Sequence, residues 1–227
     1  MHSELIRSEL LFGHSAIEKL SRSKVIIFGI GGVGGHALET IARSGVGSIT
    51  IVDADRVEPS NINRQLLALH SSIGRNKTDV AVERVLDINP DCIVKGINMF
   101  YLPDNADSID ISQYDYVIDC IDTIASKMEL IRRSTSCGVR IISSMGAGNR
   151  VDATALYVTD IYKTSIDPLA KVVRRRCREL GIGRLKVVCS TETPLQHDGD
   201  VIASNAFVPA SMGIIIGSEV VKDIIYN

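Results

Sequence analysis

At 227 residues, 45% hydrophobic and 23% charged with a net charge of −2, the chain has the make-up of an ordinary globule long enough to bury a full core. That balance excludes wholesale electrostatic attraction to nucleic acid, so any such binding must come from a local patch. No apolar run approaches the roughly 20 residues of a membrane span and the amino terminus lacks the order of a secretory signal, so a cytoplasmic protein with no membrane contact is expected.

Residues 3–20 read as two short amphipathic helices outside any sheet, with Leu5, Ile6, Leu10 and Leu11 on an apolar side and Arg7 on the other. Residues 25–28 are a short apolar run bounded by glycine, as in a buried parallel strand. A turn carrying Gly29, Gly31, Gly32 and Gly34 follows and leads into a helix expected to begin near Gly32. The GxGxxG spacing suits a tight turn, a backbone that approaches a phosphate, and a helix packed hard on its strand, with free N–H groups aimed at the anion. A strand-to-helix turn that binds nothing has the same glycines.

Residues 48–52 form a second strand ending in Asp53 and Asp55, about 24 residues beyond Gly29, where a ribose hydroxyl would lie. A non-periodic stretch containing Asn61, Asn63 and Arg64 leads to a helix over residues 76–89, with Lys77 in its first turn. Strands are expected at 92–97, 114–120 and 139–143, with a helix at 127–137 between the last two. Repeated strand–helix alternation with glycines and acids at strand ends predicts an open, Rossmann-like, doubly wound and mostly parallel sheet. Beyond residue 149 come a short strand at 155–158, a helix at 169–180 capped by Asp167-Pro168, a strand at 185–188 and an apolar helix at 207–225. Lys171, Arg174, Arg175, Arg176, Arg178, Arg184 and Lys186 form a basic run in which only Glu179 carries the opposite charge. The chain reads as one domain, residues 1–150 forming a nucleotide-binding core and 151–227 a substrate-facing extension.

An NAD-dependent oxidoreductase would use Gly29, Gly31, Gly34 and Asp53, and would leave Arg64, Lys77 and Asp122 without a task. A phosphate-cleaving or adenylating enzyme uses all of them: Arg64 and Lys77 on a polyphosphate, Asp122 on Mg²⁺, and Asn61 and Asn63 on ribose or phosphate oxygens. The plainer readings are a solvated Lys77, an Arg64 in a surface ion pair, and an Asp119 that caps the next helix. The five cysteines, Cys92, Cys120, Cys137, Cys177 and Cys189, are odd in number and never spaced CxxC, which indicates neither a disulfide framework nor a zinc site.

As an ordered set, residues 29–34, Asp53 with Asp55, the Asn61-Ile62-Asn63-Arg64-Gln65 and Gly74-Arg75-Asn76-Lys77 segments, and Asp119 with Asp122 resemble the adenylating enzymes related to ubiquitin activation, the ThiF, MoeB and HesA types. The resemblance implies ATP on residues 29–34, its ribose on Asp53, its phosphates on Arg64 and Lys77, Mg²⁺ on Asp122, and a homodimer in which Arg7 reaches the partner's ATP. Residues 143–149, 160–165, 167–170 and 188–192 look like the tRNA threonylcarbamoyladenosine dehydratase branch. That branch implies ATP-dependent ring closure of N6-threonylcarbamoyladenosine at tRNA position 37, with the basic run on tRNA phosphates and room for a sulfur-relay partner. Three alternatives stay open: activation of a ubiquitin-like sulfur carrier, an NAD oxidoreductase, and a catalytically silent RNA-binding scaffold; no cysteine holds an assured thioester position, and Cys177 and Cys189 read first as small buried hydrophobes.

Overall fold

Short apolar runs that alternate with helical stretches can hide their backbone polar groups only by pairing side by side, and the chain does this in one sheet. A computed structural model describes residues 3–199 and 201–227. Strand β1 (Lys24–Phe28) lies at the centre, parallel to β2 (Ser48–Asp53) on one side and to β4 (Tyr116–Asp119) on the other. β3 (Ile93–Asn98) extends the β2 side, and β5 (Arg140–Ser144) and β7 (Lys186–Ser190) extend the β4 side, all parallel. β6 (Leu156–Asp160) closes that edge antiparallel to β7, giving seven strands in the order β3-β2-β1-β4-β5-β7-β6. The doubly wound expectation holds. The order reverses between β1 and β4, where the loops above neighbouring strands part and leave a crevice at the carboxyl ends.

The central strands alternate between two cores. Val25 and Ile27 pack with α3 (Gly34–Arg43), α4 (Lys77–Ile88) and α7 (Val208–Tyr226), while Ile26 and Phe28 pack towards α5 (Ile124–Ser136) and the 3-10 turns at Pro103–Ser108. Phe28 meets Tyr101 edge-to-face at 4.7 Å, and its full burial contributes roughly 1.5–3 kcal/mol. α6 (Pro168–Glu179) covers the α5 side of β5 and β7 through Ala170, Val173 and Cys177.

The carboxyl-terminal part of the chain is built into this body. A Cβ on Gly213 would lie 2.1 Å from the Val33 carbonyl oxygen, and one on Gly217 would lie 2.5 Å from the Thr40 Cβ. Two glycines on one face of α7 therefore let it sit directly on α3. Among the described residues no helix is long and apolar enough to cross a membrane. The amino-terminal pair is α1 (Ile6–Phe12) and α2 (His14–Arg22), as expected, and Ala16 and Leu20 anchor α2 in the core. The apolar side of α1 does not follow it in: Leu5 packs on Gly45, but Leu10 is 84% and Leu11 74% exposed.

Candidate active site

The loop after β1 is held in a shape that two of its glycines make possible. Gly29 has φ +80°, and a Cβ there would lie 2.8 Å from the Cys120 carbonyl oxygen above β4. A Cβ on Gly34 would overlap the Gly29 carbonyl oxygen at 1.8 Å, so α3 presses on the turn as no other residue would allow. Gly31 differs, since a Cβ there meets only Gln65 Nε2, at 3.7 Å, whereas one on Gly32 would lie 3.2 Å from Pro209 Cβ. Both belong to the loop above β1, at the crevice between β1 and β4. α3 begins at Gly34 instead of Gly32, because residues 32–33 form a turn that aims the first free N–H groups into the same space.

Asp53, at the end of β2, ties the neighbouring strand to this loop. Its Oδ2 accepts the Ile30 N–H and its Oδ1 the Asp55 N–H, both at 2.8 Å. Burial pushes the Asp53 carboxyl above the usual carboxylate range, against the pull of those two bonds. Lys77 is only 4% exposed, with its Nζ 2.7 Å from Asp55 Oδ2, so the solvated reading of this lysine fails. Arg64 lays its side chain along Gly32, 3.4 Å from where a Cβ would stand, with Nη1 on the Ser60 carbonyl at 3.0 Å and Asn63 Oδ1 at 2.8 Å. Asp122 is exposed in the loop above β4, on the same short turn as Cys120, which touches Gly29.

Two expected site residues do other work. Asn61 is buried and its Oδ1 accepts the Glu58 N–H at 3.1 Å, so that oxygen closes its own turn, while Nδ2 lies 3.5 Å from Ser60 Oγ. Asn63 donates through Nδ2 to the Ser204 carbonyl at 3.1 Å, linking this loop to the segment before α7.

Asp119 caps nothing, since α5 starts from Thr123. It is fully buried with Lys127, Nζ to Oδ2 at 2.7 Å, and it also accepts the Ser143 hydroxyl at 2.5 Å and the Ile121 N–H at 3.1 Å. Lys127 donates further to Ser143 Oγ and the Ser144 carbonyl, each at 3.1 Å. This network lies directly beneath the loop that carries Asp122. Nothing in the sequence reading pointed to Lys127, which sits at an ordinary helical position.

Residues 3–226 match the ThiF family. The chain belongs to that family. It is 41% identical over 243 aligned residues to the tRNA threonylcarbamoyladenosine dehydratase of Bacillus subtilis, covering 99% of this chain and 96% of that protein. The Escherichia coli protein of the same name is 39% identical over 86% of this chain and 77% of its own length. The crystal structure of that E. coli dehydratase in complex with ATP superposes with a TM-score of 0.90 at 33% identity, covering 97% of this chain and 93% of the other.

The cysteines and the basic run complete the description of this ThiF-family chain. Burial pushes the Cys177 thiol up to about 11, and burial with the Asp119 carboxylate pushes Cys120 up to about 12. Cys189 is likewise raised by burial. Thiols in that range are poor nucleophiles at neutral pH. The basic run, continuous in sequence, is divided in space. Lys186 turns to the other face and pairs with Asp223 at 2.8 Å and Glu219 at 3.1 Å, and Arg174 donates to the Thr164 carbonyl at 2.7 Å. Arg175 and Arg176 approach Glu179, and Arg178 lies 5.5 Å over the Tyr162 ring. Lys171, Arg175, Arg176, Arg178 and Arg184 remain exposed. α6 starts beside Gly146 at the crevice edge and runs away from it for about 18 Å (12 residues), so most of this charge lies towards the far end of the sheet.

Among the described residues no three His, Cys, Asp or Glu side chains gather into a protein-built metal cage. Mg²⁺ held through one carboxylate and nucleotide phosphates needs none, and exposed Asp122 beside the glycine loop fits that donor set.

Proposed function

We propose that this chain uses ATP to dehydrate N6-threonylcarbamoyladenosine in tRNA to its cyclic form. The observation that carries the reading is the cationic edge of the crevice: Arg64 laid along Gly32, and Lys77 buried against Asp55 at the margin of the same loop. Relatives named for this reaction match almost the whole chain, and one of them has been crystallised with ATP.

A carboxylate resists attack by a nitrogen because the leaving group would be oxide. Attack of the threonyl carboxylate on the α-phosphorus of ATP forms an acyl–AMP bond and releases pyrophosphate. The modification's own carbamoyl nitrogen then attacks the acyl carbon and loses its proton, AMP departs with the carboxyl oxygen, and a five-membered ring closes with net loss of water. Such an intramolecular step has an effective molarity on the order of 10⁵ M or more, so no enzyme nucleophile is called for, in keeping with the raised cysteine thiols. Asp53 and the 29–34 backbone bind and orient the nucleotide, and Arg64 and Lys77 stabilise charge on the phosphates as it develops. Mg²⁺ on Asp122, when bound, supplies further charge neutralisation there.

In this reading residues 1–150 hold the nucleotide and 151–227 face the RNA. The protein acts as a cytoplasmic homodimer in which the exposed Ile6, Leu10 and Leu11 around Arg7 are covered by a second copy. The test is to mix purified protein with ATP and tRNA carrying threonylcarbamoyladenosine, follow AMP, and weigh the digested nucleosides. AMP release with loss of one water from the modified nucleoside is expected. No AMP with that tRNA, or AMP only with a protein ending in Gly-Gly, would overturn the proposal.

A further inference from the structure

After β5 the chain crosses the crevice edge and reaches Asn149, the one non-glycine residue among those described with a positive φ, 57°. This residue pins a surface loop at both ends. Its N–H donates to the Ala203 carbonyl and its own carbonyl accepts the Leu195 N–H, both at 2.7 Å. Its Oδ1 accepts the Ala203 N–H at 2.8 Å and lies 3.1 Å from His197 Nε2. Neighbouring Arg150 is buried, donating to Gly146 and Asp167 and to the Glu192 carbonyl, while its own carbonyl accepts Asn205 Nδ2 at 2.7 Å. Gly148 leaves the room: a Cβ there would lie 2.1 Å from Ile202 Cγ2.

The loop forms an open, solvent-facing cavity of about 320 Å³, lined by Asn149, Leu195, Gln196, His197, Val201 and Ile202. That volume is at the low end of small-molecule pockets, roughly 300–1,000 Å³. Its walls are of two kinds. Leu195, Val201 and Ile202 are 52%, 80% and 72% exposed, which is costly for aliphatic side chains unless something lies against them. Asn149, Gln196 and His197 bring amide and imidazole groups to the same space. Apolar surfaces for the two faces of a flat ring, with amides for its polar edge, are the means by which proteins hold an unstacked base.

The cavity's place decides which base. Strand order puts β2, with Asp53, on one flank of β1 and β5, leading to Asn149, on the other, with only β4 between β1 and β5. The residues that follow the loop lie against both neighbours of the crevice: the Ser204 carbonyl accepts Asn63 Nδ2 at 3.1 Å, and the Cβ of Pro209, in the first turn of α7, lies 3.2 Å from where a Cβ on Gly32 would stand. A nucleotide with its ribose at Asp53 and its phosphates along residues 29–34 therefore keeps its own base on the far flank. A substrate carboxylate that reaches its α-phosphate comes from the cavity side, and only a short arm joins that carboxylate to its base.

We infer that the loop residues 195–199 and 201–203 form the substrate-recognition element, and that their cavity seats the purine ring of the modified adenosine, flipped out of the RNA. This rests on the proposed dehydration and specifies where its substrate binds.

The test compares the wild type with Gln196→Ala and Ile202→Asp, using an anticodon stem–loop that carries threonylcarbamoyladenosine, with ATP affinity measured in the absence of RNA. Both variants should raise KM for the modified stem–loop tenfold or more while ATP affinity stays within twofold, a split that general unfolding would not produce. If both variants keep the wild-type KM while the wild type releases AMP, the assignment of the cavity falls and the dehydration stands. If the wild type itself releases no AMP with the modified stem–loop, both fall together.

Discussion

Lys127→Met tests whether the buried pair under the Asp122 loop holds the crevice together. Lys127 and Asp119 are both 0% exposed, and the ammonium satisfies three acceptors at 2.7, 3.1 and 3.1 Å. Methionine fills most of the volume and removes the charge. The Asp119 carboxylate then keeps only the Ser143 hydroxyl and the Ile121 N–H in a dry site. Stranding one half of a buried ion pair costs about 3–5 kcal/mol. That is a substantial share of the roughly 5–15 kcal/mol that holds a domain folded. With a urea slope of about 3 kcal/mol/M, the midpoint should fall by roughly 1–1.7 M. Asp119→Asn combined with Lys127→Met should recover at least half of that loss, since no uncompensated charge remains. Because the Ile121 N–H hangs on Asp119, ATP affinity of the folded Lys127→Met variant should drop as well. A midpoint shift under 0.3 M at unchanged slope, with ATP affinity intact, would refute the assignment.

Three further outcomes follow from the geometry. Gly34→Ala forces a Cβ against the Gly29 carbonyl at 1.8 Å, so it should abolish measurable ATP binding by calorimetry, whereas Gly31→Ala, with only Gln65 Nε2 nearby, should leave the fold intact and weaken nucleotide binding. Burial would raise Asp223, but hydrogen bonds from Lys186 and Tyr116 outweigh it and hold its carboxyl below the usual range. The stability this contributes is present above the unfolded carboxylate value near 3.9 and is lost as pH falls through the folded one, so Asp223→Asn should flatten the acid side of the stability profile below about pH 4. Cys177→Ala and Cys189→Ala should each keep RNA-dependent AMP release within about twofold, and a loss of 100-fold in either would restore a covalent mechanism.

Local pattern carried much of the fold. The helix expected over residues 76–89 is α4, Lys77–Ile88, because its apolar period is clear and Asn89-Pro90 ends it. The strands were readable for the same reason, as short apolar runs between glycines and acids. α5 starts at Ile124, earlier than the expected 127, since the stretch after Asp119 has no periodic signal and Thr123 caps with its backbone alone. The Asp119–Lys127 pair was beyond reach, for its partners meet only after a strand turns into a helix. Gly213 and Gly217 are four apart in the helix expected at 207–225, a pattern of close helix contact that the apolar composition of this segment masks.

The basic run shows the limit of reading charge along a line. In a helix, residues four apart share a face, so Arg174 and Arg178 turn back onto Thr164 and Tyr162, while Arg175 and Arg176 point outward. In a strand, neighbours alternate, and Lys186 goes through to Glu219 and Asp223. Lys171, Arg175, Arg176 and Arg178, the last lying over the Tyr162 ring yet still exposed, line an α6 of about 18 Å, and Arg184 follows it in the segment before β7. Reversing Arg175, Arg176 and Arg178 to glutamate removes up to three phosphate contacts. The slope of log affinity against log salt should become shallower by about 2–3, with ATP affinity unchanged. Arg174→Ala should instead lower stability through the lost Thr164 bond and leave the slope alone. An unaltered slope in the triple variant would move the RNA to another face of the molecule.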